Sequence, residues 1–450
     1  MASLNTPKTR GASALRTHEG APAKRIDAVA QLRRSVLACL LWEDQFYEDG
    51  QQIADRIAGL IQEVPPEVVA SLAVEARLGQ HLRHVPLLLA RELARTGGPL
   101  VADTIYTIIQ RPDELTEFLA LYWKDGKEPL SAQVKKGLAR AFTKFDAYQL
   151  AKYDRDGAVK LRDVLFLVHP VAKDEGQQAE WDALVEGTLP APDTWEVALS
   201  GGGDKREHWT RLLQEKRLGG LALLRNLRNM EQAKVDSSLI IAAIEGHPFH
   251  RVLPFRFLAA AAHAPRYEPV LDRAMVRAAG AMQTLPGKTV LVVDHSGSMQ
   301  SRLSGRSQLT RFDAAAGLAI LLREVCEEVE VVCYSSVGYS YRRGNDRGAV
   351  TVPARRGMAL RDAMVNSIQW GGTDTEAGKQ LADHLGYDRV IILTDEQSHT
   401  ALSGPDGLGY VVNVASAKNG IGYGPWLHID GWSESVVRYI QTIEEERPFR

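Results

Sequence analysis

The sequence predicts two structural parts, an α-helical repeat segment followed by a doubly wound α/β domain. From residue 26 to 284, apolar residues recur at three- and four-residue spacing between Pro, Gly and Asp signals, which is typical of stacked helix pairs of the HEAT or armadillo type. From residue 285 to 450, short apolar runs alternate with helical patterns, as in an open parallel sheet. We place the boundary near Leu285-Pro286-Gly287.

Size, charge and cysteine content narrow the class of protein. A chain of 450 residues with 45% hydrophobic and 24% charged residues is that of an ordinary globular protein with more than one core. Three cysteines make neither a disulfide framework nor a zinc quartet. We find no run of eighteen apolar residues and no signal peptide, so we expect no membrane span and a cytoplasmic location.

The net charge of −2 does not indicate a nucleic-acid-binding protein, so an RNA site must be a local cluster or the N-terminal tail. That tail, residues 1–25, holds five Lys or Arg and one Glu and has no apolar period. We expect it to be disordered.

In the α/β domain the pattern predicts an order of elements. The predicted strands are Thr289–Asp294, Glu330–Ser335, Arg389–Thr394 and Tyr410–Val414. The predicted helices are Arg311–Glu328, Met358–Ile368, Thr375–Leu385 and Glu434–Glu445.

The most informative stretch is TVLVVDHSGSMQ, residues 289–300. Its apolar run predicts a strand that is buried on both faces, and ligands of such sheets bind where strands end in loops. Asp294, Ser296 and Ser298 follow that strand at alternating positions, so three oxygen-bearing side chains can converge. An alternative interpretation is a serine-rich turn in which Asp294 caps the next helix.

Asp-x-Ser-x-Ser after a buried strand resembles the metal-ion-dependent adhesion motif of von Willebrand factor A domains. Two later segments match the rest of that motif in order: WGGTDTEAG supplies Thr373, and VIILTDEQS ends a second buried strand in Asp395. The resemblance implies that Asp294, Ser296, Ser298, Thr373 and Asp395 form a metal site. Hard oxygen ligands without Cys or His suit a divalent cation, Mg²⁺ first.

Three stretches of the helical part resemble the TROVE module of the Ro (60 kDa SS-A/Ro) ribonucleoprotein autoantigen family. They are WTRLLQEKRLGGLALLRNLRNM at residues 209–230, His-Pro-Phe-His at 247–250, and RAFTKFDAYQLAKYDRDGAVKLRDVLFLVHP at 140–170. The resemblance covers roughly residues 26–450. It implies a ring of HEAT-like helical repeats closed by the A domain, in a bacterial or phage-type member.

The same resemblance implies a function in RNA metabolism. Family members bind small structured Y RNAs on the outside of the ring and single-stranded 3′ ends of misfolded RNAs in the central hole. Bacterial members are linked to RNA degradation with a 3′-exoribonuclease. We expect a non-catalytic RNA-binding protein, since no phosphate loop, nucleophile elbow or Cys–His pair is present in the sequence.

The resemblance also implies particular RNA-binding residues. Lys152 and His169 fall on RNA-contacting positions of the family, and Arg140 matches a basic position. A further basic position falls near Asp156, an acidic departure that Arg155 can compensate. The alternative roles are a surface lysine for Lys152 and a capping histidine for His169.

A second basic set, Arg77, His81, His84, Arg91 and Arg95, falls on one helical face if the helix is continuous. We favour a solvated face over an RNA site, because Pro86 interrupts the phase.

Two other functions fit parts of the sequence. The first is a metal-dependent protein-interaction module without RNA, in which an acidic side chain of the partner completes the metal's ligand shell. The second is an A-domain subunit of a chelatase or ATPase-assisted complex, which leaves the helical half unexplained.

Overall fold

The protein is described here by a computed structural model. It describes residues 28–36, 50–79, 81–192, 195, 197, 204–250, 252–303, 308–336, 348–415, 425–431 and 435–446. The predicted tail at residues 1–25 lies outside these ranges. No helix of the described ranges is both long enough and apolar enough to cross a bilayer.

The first part of the chain is helical. Its helices are α1 (Ala28–Val36), α2 (Gly50–Ile61), α3 (Pro66–Val74), α4 (His84–Thr96), α5 (Leu100–Ile108), α6 (Pro112–Tyr122), α7 (Ala132–Phe142), α8 (Ala147–Tyr153), α9 (Leu161–Val168), α10 (Glu175–Glu186), α11 (Lys205–Gln214), α12 (Gly220–Gln232), α13 (Ser237–Gly246), α14 (Pro254–His263) and α15 (Glu268–Ala279). The side chains of Ser131, Asp146 and Asp174 cap α7, α8 and α10 by accepting hydrogen bonds from backbone N–H groups three residues later.

The second part is a six-stranded sheet with helices on both faces. Its strands are β1 (Leu285–Asp294), β2 (Cys326–Tyr334), β3 (Ala349–Thr351), β4 (Arg389–Thr394), β5 (Leu408–Asn413) and β6 (Leu427–Asp430), and its helices are α16 (Arg311–Val325), α17 (Gly357–Val365), α18 (Thr375–Leu385) and α19 (Ser435–Glu446). The strand order is β3-β2-β1-β4-β5-β6, and only β3 is antiparallel to its neighbour. The chain therefore adds β2 and β3 on one side of β1 and then adds β4, β5 and β6 on the other side, so the strand order reverses between β1 and β4.

Several predicted elements agree closely with the structure, and others differ in their ends or were not predicted. The α18 and β4 ranges are those predicted, while β3 and β6 were not predicted at all. The predicted helix from Arg311 ends at Val325 instead of Glu328, and β2 begins directly at Cys326. Cys326, which falls inside the predicted helix, is therefore the first residue of a strand, and its side chain is buried.

The apolar residues form two large cores that do not coincide with the change from helices to strands. One core joins α1 to α10, from Leu32 to Leu184. The other joins α11 to α15 with one face of the sheet, from Trp209 to Ile440. A smaller cluster packs the opposite sheet face against α18. The last five helices of the first part are therefore built into the core of the α/β domain.

Both ends of the helical part contact the α/β domain. At one end, α14 packs on α16, where a Cβ at Gly317 would lie 3.2 Å from Phe255, and Asp272 of α15 accepts a hydrogen bond from the Met358 backbone N–H (2.7 Å) at the start of α17. At the other end, α1 contacts β6, and Arg438 of α19 donates a 2.8 Å hydrogen bond to the Gly79 carbonyl oxygen. The α/β domain thus closes the helical arc.

The fit of α18 on the sheet allows a direct test of this packing. A Cβ at Gly378 would lie 2.7 Å from Val292 Cγ1 and 2.9 Å from Tyr334 Cδ1. We expect Gly378→Ala to lower the free energy of unfolding by about 1–3 kcal/mol, since overpacking forces side chains apart. Gly59→Ala is the control, because a Cβ there meets no atom within 4 Å and α2 gains about 0.5–1 kcal/mol. Urea denaturation of both variants measures this, and equal midpoints would contradict the packing.

Candidate functional site

The candidate metal residues lie at the carboxyl ends of β1 and β4, where the strand order reverses. Ligands of open α/β sheets bind at this switch point. Asp294 is the last residue of β1, and Asp395 follows β4 directly. The two strands are adjacent and parallel, so both carboxylates leave the sheet at the same edge, and both side chains are fully buried.

Backbone hydrogen bonds bring the other three residues to the same edge. Asp294 Oδ1 accepts a hydrogen bond from the Ser296 backbone N–H (2.8 Å), and the hydroxyl oxygens of Ser296 and Ser298 are 3.0 Å apart. The loop that carries Thr373 is joined to this turn by a hydrogen bond from the Gly297 N–H to the Gly371 carbonyl oxygen (2.8 Å). Thr373 itself is buried.

Gly371 has no room for a side chain where this loop crosses the end of β2, because backbone blocks it, whereas the Cβ position of Gly372 is blocked by a side-chain hydroxyl. A Cβ at Gly371 would lie 2.5 Å from the Ser336 carbonyl oxygen, and one at Gly372 would lie 2.2 Å from Ser336 Oγ. The two glycines let the backbone approach close enough to deliver Thr373 to the edge of the sheet.

The two carboxylates repel each other in a dry environment. Burial and the nearby Asp395 carboxylate raise the pKa of Asp294 to about 7, although the Thr394 hydroxyl donates a 2.6 Å hydrogen bond to its Oδ2 atom. Burial also raises the pKa of Asp395. One of its oxygens, Oδ1, is buried without a hydrogen-bond partner in the described structure. An unsatisfied buried carboxylate oxygen is costly.

Arg311, which the sequence analysis did not identify, supplies part of the missing positive charge. Its guanidinium Nη1 lies 3.1 Å from Asp395 Oδ2, and both side chains are almost fully buried. Arg311 is the first residue of α16, and Thr310 caps that helix through Asp313. The sequence feature that could have identified Arg311 is a single arginine at the start of a largely apolar helix.

An aromatic cluster fixes the loops around the carboxylates. The His295 ring packs 3.7 Å from the Trp370 ring centroid, and Phe312 contacts both rings edge-on. Burial lowers the pKa of His295 to about 4, so the imidazole is neutral at pH 7. The cluster ties together the turn after β1, the Thr373 loop and the start of α16.

The residues present fit a hard divalent cation. They provide two carboxylates and three hydroxyls, and the unpartnered Asp395 Oδ1 and the mutual repulsion of the carboxylates would both be relieved by a cation. Asp294, Ser296, Ser298, Thr373 and Asp395 would hold it. Bound Mg²⁺ would provide a Lewis-acidic position for an incoming oxygen ligand.

A second buried polar cluster, also absent from the sequence analysis, lies beside Asp395. Glu396 has left-handed backbone geometry (φ 64°) and contacts His428 Nδ1 at 2.5 Å. Asn413 Nδ2 donates a 3.4 Å hydrogen bond to the same carboxylate. The cluster connects the carboxyl ends of β4, β5 and β6.

The candidate RNA residues lie at the ends of α7, α8 and α9. Lys152 is half-buried with its ammonium 5.6 Å from the Tyr153 ring centroid, and Arg155 is exposed. Neither makes an ion pair with a described residue. The Lys160 ammonium lies 2.6 Å from Asp156 and neutralises that acidic departure; that Arg155 supplies the basic group for RNA at this position stays a prediction.

Arg140 and His169 differ in their availability. The Arg140 guanidinium pairs with Asp103 and packs 4.4 Å from the Tyr106 ring centroid. His169 is exposed, has φ 46° and ends α9. Beside it, Phe166 is 55% exposed, and both residues line a cavity of about 420 Å³. An exposed phenyl ring next to an exposed imidazole offers two faces for base stacking.

The second basic set of the sequence analysis does not form one face. A π-helical turn at residues 75–79 and a left-handed His81 (φ 56°) separate Arg77 from α4. Arg77 pairs with the buried Glu114, and Arg91, only 6% exposed, pairs with Glu92 and Asp125. The expected solvated face is therefore wrong for Arg91, which neighbouring carboxylates hold in the interior.

This architecture defines the class of protein: a ring of helix pairs closed by a doubly wound α/β domain, with a cluster of buried carboxylates and hydroxyls at its switch point. Residues 172–271 match the family model of the TROVE domain. The fold matches the crystal structure of the RO (RSR) protein of Deinococcus radiodurans with a TM-score of 0.64 and 20% sequence identity, over 93% of this chain and 99% of that one. No curated protein matches the chain.

These findings confirm the predicted resemblance to the TROVE-domain proteins of the Ro family and the predicted fold class. The matched range contains the WTRLL, LLRNL and His-Pro-Phe segments, whereas the segment with Lys152 and His169 lies before it.

The cation site has a testable effect on stability. Because the pKa of Asp294 is raised in the folded state, ionising this carboxyl destabilises the fold. Without metal, the contribution of Asp294 to the free energy of unfolding therefore falls as the pH rises from about 4 through 7. We expect Mg²⁺ to raise the melting temperature most at pH 8, and Asp294→Asn to remove both the Mg²⁺ effect and part of the pH dependence. Scanning calorimetry at pH 6 and 8, with EDTA or Mg²⁺, measures this.

The control is Asp406→Asn, which neutralises an exposed carboxylate of the same domain. An equal Mg²⁺ shift in wild type and Asp294→Asn would place the cation elsewhere.

Proposed function

We propose that this protein is a non-catalytic RNA-binding ring that holds a small noncoding, Y-like RNA on its outer surface. Single-stranded ends of misfolded RNA enter the central hole, and the protein acts in the cytoplasm as a ribonucleoprotein scaffold in RNA quality control. The match of residues 172–271 to the TROVE domain and the fold of the Deinococcus Ro protein support this proposal. A 3′-exoribonuclease is the proposed partner, since a scaffold that holds a free 3′ end presents it for degradation.

Two observations carry the outer RNA site: a pair of cations without carboxylate partners at the end of α8, and an exposed phenyl ring and imidazole at the end of α9. Lys152 and Arg155 make no ion pair with described residues, so their charge is available to phosphates. Phe166 and His169 are exposed near the end of α9, where unstacked bases of an RNA loop can pack on them. Arg140 contributes less, because Asp103 already neutralises it.

RNA co-purification tests this proposal. We expect the protein, purified from its native host in low salt, to retain a discrete small RNA that sequencing identifies. Lys152→Ala with His169→Ala should lower the affinity for that RNA about tenfold or more, because one phosphate contact and one stacking contact are lost.

The matched control is Lys205→Ala with His384→Ala, which removes one exposed lysine and one exposed histidine elsewhere. RNA recovery at background level in the wild-type protein would reject the proposal.

A second candidate function is metal-dependent binding of an acidic protein ligand. The buried carboxylate pair with its unpartnered Asp395 Oδ1 favours it, since a hard divalent cation held by these residues would accept a carboxylate oxygen as a further ligand. We expect a protein partner captured in Mg²⁺ to dissociate in EDTA and to be missing with Asp395→Asn. A partner that stays bound in EDTA would exclude this mode, and loss of RNA but not of the partner would separate the two functions.

A further inference from the structure

A groove between α12 and α14 carries a concentration of positive charge that the sequence analysis did not identify. It is a cavity of about 480 Å³ between the two helices. Arg225, Arg228 and Asn229 line it from α12, and Arg256 and His263 line it from α14. Among the described residues that line it there is no Asp or Glu.

Helix geometry explains why these residues share one groove. Arg225 and Arg228 are three residues apart, and Arg256 and His263 are seven apart, so each pair lies on one face of its helix. Seven residues of α-helix span about 10 Å, which sets the length of the groove. The floor between the basic residues is apolar and consists of Leu221, Leu224, Leu227, Ala259 and Ala260.

The arginines of α12 are not neutralised by the protein. Arg225 and Arg228 are exposed and make no ion pair or hydrogen bond with any residue that the structure describes. Most other arginines of the helical part pair with carboxylates, as Arg77 and Arg91 do. Like charges gathered around one cavity repel each other, and a bound anion relieves this repulsion.

A neighbouring cavity along α14 differs from the groove in its charge. Arg256 and His263 also line that cavity, of about 680 Å³, which extends to the start of α16 and α17. There Glu268, Asp313 and Asp362 are present, and Arg361 is paired with Asp313. Of these two neighbouring cavities, only the second has carboxylates among its described lining residues.

We propose that the groove between α12 and α14 binds the phosphate groups of single-stranded RNA, at a site separate from the surface of Lys152 and His169. Guanidinium groups bind phosphate oxygens in bidentate geometry. The apolar floor packs against sugars and bases, and a cleft between two helices admits one strand more easily than a duplex. That the bound phosphate groups belong to RNA rests on the proposed function. That the groove binds an anion does not depend on it.

Binding of two RNA forms to charge-neutralised protein tests this inference. The probes are an unstructured 12-nucleotide RNA and a small RNA hairpin, each measured by fluorescence anisotropy over a range of salt concentrations. We expect Arg225→Gln with Arg228→Gln to weaken single-strand binding about tenfold or more. The salt slope should fall by about 1.4, since each phosphate contact on a single strand contributes about 0.7. Hairpin affinity should change less than twofold.

The matched control is Arg266→Gln with Arg273→Gln, which removes two charges from exposed positions outside the groove. Equal single-strand losses in both double variants, no loss in either, or an equal loss of hairpin binding would overturn the inference. Circular dichroism of each variant verifies that the fold is retained.

Free tripolyphosphate separates the two sources of phosphate. If wild-type protein binds neither RNA but binds tripolyphosphate, and the Arg225/Arg228 variant does not, the anion site stands and the RNA function fails. If wild-type protein binds RNA while the groove variant is unchanged, the RNA function stands and the groove inference fails. Absence of both RNA and tripolyphosphate binding rejects both.

Discussion

The α/β domain depends on two carboxylates that are buried at the ends of adjacent parallel strands. Asp294 and Asp395 leave β1 and β4 at the same edge, where low polarity strengthens their repulsion. The fold tolerates them because Arg311 pairs with one and the Thr394 hydroxyl donates to the other. One oxygen of Asp395 stays unsatisfied, so a cation bound there would stabilise the folded state. The close approach of the backbone at Gly371 brings the loop that carries Thr373 to the same edge of the sheet.

The two apolar cores divide the molecule differently from the two patterns of secondary structure. Helices α11 to α15 share a core with the sheet, and Asp272 of α15 even caps α17. The basic groove on α12 and α14 is therefore fixed relative to the candidate metal site. Lys152 and His169 belong to helices of the other core. The two proposed RNA surfaces are thus carried by separately packed bodies, so a variant in one leaves the packing of the other intact.

The sequence predicts what local patterns determine, and it misses what distant residues determine. The range of β4 is predicted to the residue because six successive residues are buried in mid-sheet. The short strands β3 and β6 have too few residues for a periodic pattern, and they form only because an existing strand edge pairs with them. The five metal residues follow from a motif in chain order. Arg311, 84 positions before Asp395, and the groove arginines become functional candidates only through long-range contacts.

The distribution of ion pairs explains why a net charge of −2 does not exclude a local phosphate-binding site. Arg77, Arg83 and Arg91 are all engaged by carboxylates, so they contribute little field at the surface. Lys152 and Arg155 at the end of α8, and Arg225 and Arg228 in the α12–α14 groove, have no such partner among the described residues. The net charge sums these unpaired groups with the paired ones, so it does not indicate either proposed RNA surface. Local pairing, which only the folded structure reveals, decides where phosphate is attracted, because paired charges cancel within a few ångströms while unpaired ones act over roughly 8–10 Å.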